Sequence, residues 1–169
     1  MKPLIKEING ITPKFGKDCY LSENTTIIGD VVCGDRCSFW FNSVIRGDVH
    51  FIKIGNKVNI QDGAIVHCTY KKSPTIIGNQ VTVGHNAIVH GCTIKDRVLI
   101  GMGAVVLDDC IIESDSIVGA GAVLTKGTHV KSGEIFAGIP AKKVKKGNFK
   151  EQLLGLANKY VEYSKWYED

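Results

Sequence analysis

The chain has 169 residues, enough for one domain with a sizeable core, and 21 Lys and Arg against 17 Asp and Glu leave a net charge of only +4. That balance carries no basic stripe interleaved with stacking aromatics, which excludes a dedicated nucleic-acid surface. No apolar run is long enough to span a bilayer, so no membrane association is expected.

The N-terminus lacks a positive segment followed by an apolar stretch, so a cytoplasmic protein is expected. Six cysteines in that compartment read as free thiols, and no CxxC pair of the structural-zinc type occurs among them.

From Phe15 onward a six-residue period dominates the chain. With an apolar residue as position one, the series reads Phe15, Leu21, Ile27, Cys33, Phe39, Ile45 and Phe51, then Ile54, Ile60 and Val66. After a longer break it continues through Ile77, Val83 and Val89. One residue is then deleted, and the run resumes from Ile94 through Ile100, Val106, Ile112, Val118 and Leu124 to Val130.

Position five is small or β-branched throughout, from Thr25, Val31, Cys37, Ser43 and Val49 to Ala122 and Thr128. Position two is often glycine, as at Gly16, Gly34, Gly55, Gly78, Gly84, Gly101 and Gly119, which suggests positive φ or tight corners. A period of six suits neither an amphipathic helix nor a half-buried strand. It fits a prism of three flat faces, one short strand per hexad, with coils stacked as parallel strands about 4.8 Å apart. An all-β solenoid over about residues 11–140 follows. In this register Cys33, Cys37 and Cys110 are interior residues, and Cys68 and Cys92 neighbour His67 and His90.

Gly138-Ile139-Pro140 marks the exit from the coil, and Lys142, Lys143, Lys145 and Lys146 read as a solvated linker. Residues 148–167 then read as a closing α-helix. Phe149, Leu153, Leu156, Tyr160 and Tyr163 share one of its faces, and the whole forms a single domain over 1–169.

The register also places the histidines. His67 and His90 both occupy position two of one face and lie 23 residues apart, the length of a coil with a five-residue bulge. They should stack one coil above the other, in a column that includes Arg46, close enough to share one metal ion. His85 is position three of a different face and stacks on Asp62, also 23 residues away. One chain therefore offers two ligands on one face and a third near another. A homotrimer solves this, because the neighbour's His85 completes a three-imidazole site with an open position. His50 and His129 lack such company.

The hexads resemble the hexapeptide-repeat family, whose fold is the left-handed parallel β-helix. Within it, Ile45-Arg46-Gly47-Asp48, Asn59-Ile60-Gln61-Asp62-Gly63 with His67, and Gly84-His85 with His90 resemble the γ-class carbonic anhydrases over about residues 10–147. The resemblance implies that His67, His85 and His90 bind Zn2+, or alternatively Fe2+ or Co2+, across a trimer interface. It further implies that Gln61 hydrogen-bonds the metal's water or hydroxide, that Arg46 pairs with an acidic residue across the interface, with Asp62 the candidate, and that Asp48 belongs to the same network. The implied reaction is reversible hydration of CO2 to bicarbonate by a hydroxide whose pKa the metal brings toward about 7.

Well-known members carry a glutamate after the RGD aspartate and a shuttle glutamate in the following loop. This chain has Val49 and the loop Cys68-Thr69-Tyr70-Lys71-Lys72-Ser73-Pro74, so slow proton export is expected. It is similar to the shuttle-less branch, in which a tyrosine of the closing helix approaches the metal; Tyr160 is the first choice and Tyr163 the second. Two other readings compete. One is an acyl-CoA-dependent hexapeptide acyltransferase with a histidine as general base. The other is a non-catalytic trimeric scaffold that keeps a metal for assembly.

Overall fold

The structure is a computed structural model that describes residues 2–167. Its strands run parallel from coil to coil, forming a β-helix of hexapeptide repeats closed by one C-terminal helix. Equivalent positions pair in register: Val66 with Val89, Val89 with Val106, and Val106 with Leu124. Each of these side chains is fully buried, as are Ile27, Ile45, Ile60 and Ile100. The position-one residues thus form continuous apolar columns, and each coil is stabilised by its neighbours rather than alone.

Two sheets line the three faces. An 11-stranded sheet wraps two of them, because Thr26–Cys33 and Val44–Ile54 turn a corner without breaking. An 8-stranded sheet forms the third. Along one corner a side-chain ladder ties coil to coil. Asp35, Asn56, Asn79 and Asp96 each accept from the backbone N–H of the equivalent residue one coil earlier, at 2.7–2.9 Å.

Three expectations are corrected. The hexad after Ile45 does not continue to Val49 and Phe51: Ile28 pairs with Arg46 and Gly29 with Gly47, but Val31 pairs with Ile52 and Cys33 with Ile54. Three extra residues bulge outward after Gly47, so Ile52 fills the interior while Val49 and Phe51 stay half-buried.

The position-two glycines do not adopt positive φ. They are needed because successive coils approach closely; a Cβ on Gly101 would lie 2.5 Å from Ala120 N. Left-handed conformation belongs to position four instead, as at Asp18, Arg36, Lys57, Gln80, Arg97 and Asp115. Finally, Lys142–Lys146 is no free linker but an exposed strand paired antiparallel with Glu134–Ala137, where Lys143 reaches Glu134 at 2.8 Å.

The helix spans Lys150–Ser164 and ends in a 3-10 turn, Lys165–Tyr167. Leu153, Ala157 and Ser164 are its buried residues, seated against the face that carries Ser38–Phe39 and Thr82–Val83. Lys57 Nζ donates to Asn158 Oδ1 at 3.1 Å, and the Tyr160 ring meets Trp40 edge-on at 5.7 Å. No helix among the described residues is long and apolar enough to cross a membrane.

Candidate metal centre

His67 and His90 end adjacent parallel strands, Ile65–His67 and Ile88–His90, and are direct partners in the ladder. Both side chains leave the prism on the same side because Val66 and Val89, one residue earlier, point inward. His67 Nδ1 lies 3.1 Å from His90 Nε2. The far nitrogen of each ring meets a carboxylate: His67 Nε2 is 3.1 Å from Asp48 Oδ1, and His90 Nδ1 is 2.6 Å from Asp108 Oδ1.

A carboxylate only accepts, so each ring N–H belongs on the side facing its aspartate. The remaining lone pairs, on His67 Nδ1 and His90 Nε2, then face each other. Two lone pairs at that distance repel unless a cation lies between them. Two nitrogens bound at about 2.05 Å to one tetrahedral ion stand about 3.3 Å apart, close to the separation found here. The donor set therefore fits a shared metal ion, and the aspartates behind it fix the rings as outer partners do in metal sites.

Asp48 is also held by the Arg46 guanidinium, whose Nη1 donates to Asp48 Oδ2. Burial pulls the Asp48 carboxyl up, but the hydrogen bonds from Arg46 and His67 outweigh it and hold the group below the usual range. Burial pushes the His67 imidazole down, with the Arg46 charge adding to the effect, so the ring favours its neutral, ligating form. Asp108 follows the pattern of Asp48: burial raises it, and hydrogen bonds from Thr69 and His90 overcome that. Thr69 Oγ1 donates to Asp108 Oδ2 at 2.6 Å.

His85 lies elsewhere. It follows the strand Thr82–Val83 on the face that also receives the helix, and its Nδ1 is 2.8 Å from Asp62 Oδ2. The stacking of His85 on Asp62 is as the 23-residue spacing implies. Asp62, the candidate partner of Arg46, is thus engaged by His85 within the chain, while Arg46 is engaged by Asp48. Around His85 and Asp62 is an aromatic cleft lined by Trp40, Phe41, Tyr160 and Tyr163. Burial, and then the Asp62 charge, raise the Tyr160 hydroxyl above its usual value. Gln61 is nearly inaccessible, at 3% exposure, and its amide donates to Asn59 Oδ1 at 3.0 Å, which in turn is held through Asn59 Nδ2 on Thr82 Oγ1.

The structure therefore brings together His67, His90, Asp48 and Arg46 on one side, and His85, Asp62 and Tyr160 on another. Sequence reasoning missed Asp108 and Thr69. The signal was the one-residue deletion after Val89: carried through, it places Asp108 one coil above Gly91, where a Cβ on Gly91 would strike the Asp108 carboxylate. Cys68 and Cys92 are buried, and burial raises both thiols, which leaves them inert packing residues.

Stacked hexads define a hexapeptide-repeat protein, here one with outward, carboxylate-backed histidines. The repeat described as bacterial transferase hexapeptide (six repeats) matches residues 91–126. Gamma carbonic anhydrase 2, mitochondrial, of Arabidopsis thaliana is 41% identical over 140 residues, 80% of this chain and 50% of that protein, so the chain spans about half the length of that relative. Protein YrdA of Escherichia coli is 38% identical over 177 residues, covering 100% of this chain and 96% of its own. Among solved structures, a hexapeptide transferase family protein from Anaplasma phagocytophilum superposes with a TM-score of 0.92 at 38% identity, covering 99% of both chains. The chain belongs to the γ-carbonic anhydrase-like family of hexapeptide-repeat proteins.

Proposed function

We propose that this protein is a γ-carbonic anhydrase-like enzyme that interconverts CO2 and bicarbonate at a divalent metal held between copies of the chain in a homotrimer. The observation that carries the reading is the convergence of His67 Nδ1 and His90 Nε2, each ring backed by an aspartate. His67 and His90 of one copy and His85 of the next hold Zn2+, Fe2+ or Co2+. The ion supplies the Lewis acidity that makes water nucleophilic near neutral pH.

The chain's own residues do the rest. Asp48, Asp108 and Asp62 hold the ring protons of His67, His90 and His85 on the outer nitrogens, keeping the inner ones free. Gln61, fixed by Asn59 and Thr82, orients the attacking water. Arg46 neutralises Asp48 and offers positive charge to the departing bicarbonate. Tyr160, beside Asp62 and His85, takes the place of a shuttle carboxylate as a hydrogen-bonding group, and its raised pKa makes it a slow route for the proton.

The trimer has support beyond the divided ligand set. Beside the His67–His90 column the same face carries an outward apolar ladder in register, Val44, Ile65, Ile88, Val105 and Val123. All five retain solvent exposure in the single chain, with Ile65 at 40%. A continuous apolar stripe of that kind marks a surface covered by a partner. The acyltransferase reading is weaker, because a general base needs one imidazole, not two sharing a cation site.

Stopped-flow CO2 hydration on protein purified anaerobically, with metal content measured on the same sample, tests the proposal. Hydration that disappears on chelation, returns with zinc or ferrous iron, and is absent in His85→Ala supports it. Metal-loaded protein without hydration moves the reading to the scaffold.

A further inference from the structure

Three thiols far from the histidines in sequence converge at one corner of the first coils. Cys19 and Cys37 lie 18 residues apart, at position five of successive coils, and Cys33 opens the hexad that contains Cys37. Their three Sγ atoms all lie within 4.8 Å of one another, and Cys19 Sγ stands 4.0 Å from Cys33 Sγ. Cys33 and Cys37 are buried, while Cys19 is only half-buried, which leaves a path from solvent. The Cys19 thiol is aimed by donation to Gly34 O at 3.2 Å and the Cys37 thiol by donation to Gly55 O at 3.1 Å.

Among the described residues this is the one group of three or more Cys, His, Asp or Glu side chains whose donor atoms all meet this closely. Packing does not demand it. Position five elsewhere is filled by Val58, Ala64, Val81 or Ala87, any of which satisfies the corner.

We propose that Cys19, Cys33 and Cys37 form a three-sulfur site for a soft, thiophilic monovalent ion, with the cuprous ion as the species it fits. Thiolates select soft d10 ions. An ion equidistant from three sulfurs 4.0 to 4.8 Å apart lies about 2.3 to 2.8 Å from each, so a small inward turn of the thiols reaches the normal metal–thiolate length of about 2.3 Å. The group contains no imidazole or carboxylate to complete a tetrahedral set, so an ion content with three donors fits better than Zn2+.

The protonation pattern agrees. Hydrogen bonds with Cys33 and then Cys37 hold the Cys19 thiol well down, and the same contacts push the Cys33 and Cys37 thiols up. On binding, the three thiols release their protons to solvent as three metal–sulfur bonds form; no electron moves.

The test is an anaerobic titration of the full-length, reduced protein with cuprous ion against a chromophoric cuprous chelator. Wild type should take up about one ion per chain in competition with the chelator, and Cys19→Ser and Cys37→Ala should each weaken uptake by about tenfold or more. Cys110→Ser and the His67→Ala/His90→Ala double variant should leave it unchanged, which separates this site from the histidine centre. Circular dichroism checks folding. If Cys37→Ala unfolds, Cys19→Ser at the half-buried position decides the matter. X-ray absorption should find only sulfur neighbours. No uptake, uptake unaffected by Cys19→Ser, uptake lost in the histidine variant, or nitrogen neighbours would each overturn the proposal.

Discussion

His67 Nδ1 and His90 Nε2 point at each other across 3.1 Å, with Asp48 behind one ring and Asp108 behind the other. Parallel pairing of Ile65–His67 with Ile88–His90 brings the two side chains into the same register, and the aspartates set which nitrogen of each ring is free. Removing either ring leaves the other lone pair without a shared cation. His67→Ala or His90→Ala should therefore weaken metal affinity by more than the roughly 10–100-fold typical of losing an outer partner, and so lower the metal-to-protein ratio. Trimer stability should fall with it, since a metal bridging chains stabilises the assembly by mass action. Elemental analysis beside sedimentation velocity checks both; an unchanged ratio in both variants would sink the assignment.

Asp108 sharpens the same point. Its carboxylate touches His90 and is itself held by Thr69, so it would act on an ion bound there only through the ring it orients. Asp108→Ala should weaken metal affinity by about 10–100-fold while leaving the fold intact. A chelator competition comparing Asp108→Ala with wild type reads this directly. Equal affinities would mean that the His90 orientation comes from packing alone.

Much of this geometry is legible in the sequence because a hexad register converts residue number into position. Spacings of 23 residues place His90 over His67 and His85 over Asp62, and both contacts are found. The period fails where the backbone leaves it. Three residues bulge out after Gly47, and nothing in their side chains distinguishes Phe51, half-buried, from Ile52, fully buried. The partners of Asp48 depend on that bulge, and those of Asp108 on a one-residue deletion. The lysine run at Lys142–Lys146 reads as solvated by composition, but its backbone pairs with Glu134–Ala137, and exposed lysines are well suited to such an edge strand. Left-handed residues at position four also escape a search for glycine, because the turn accepts Asp, Asn, Lys, Arg and Gln there.

Glu134 joins that edge strand to the coil. Its carboxylate accepts from Lys143 Nζ at 2.8 Å and from the backbone N–H of Lys131 at 3.0 Å. Lys143 first, and Lys131 N–H after it, hold the carboxyl below its ordinary value of 4.5. A depressed folded-state pKa means that the contribution is fully present above the unfolded value and is lost as pH falls through the folded one. Wild type should therefore exceed Glu134→Gln in stability at neutral pH, and the gap should close as pH drops below about 4.5. Urea melts at several pH values measure it. A gap that stays constant into acid would show that the ionised carboxylate contributes nothing.

Ile65 tests the interface without touching a ligand. It stands 40% exposed in the single chain, directly between Val44 and Ile88 in the outward ladder and two residues before His67. Its neighbour Val66 carries the core contact, so a change at Ile65 leaves the interior columns filled. An exposed apolar side chain costs little to replace in an isolated chain, typically within about 0.5 kcal/mol away from special features. Burying a charge against a partner's apolar surface costs far more unless it is paired. Ile65→Asp should accordingly yield a folded monomer whose metal content falls, because one chain alone brings His67 and His90 together but not His85. Sedimentation equilibrium, circular dichroism and elemental analysis on one preparation separate the outcomes. A folded, metal-loaded trimer in Ile65→Asp would remove this face from the interface and, with it, the route by which a neighbour's His85 reaches the ion.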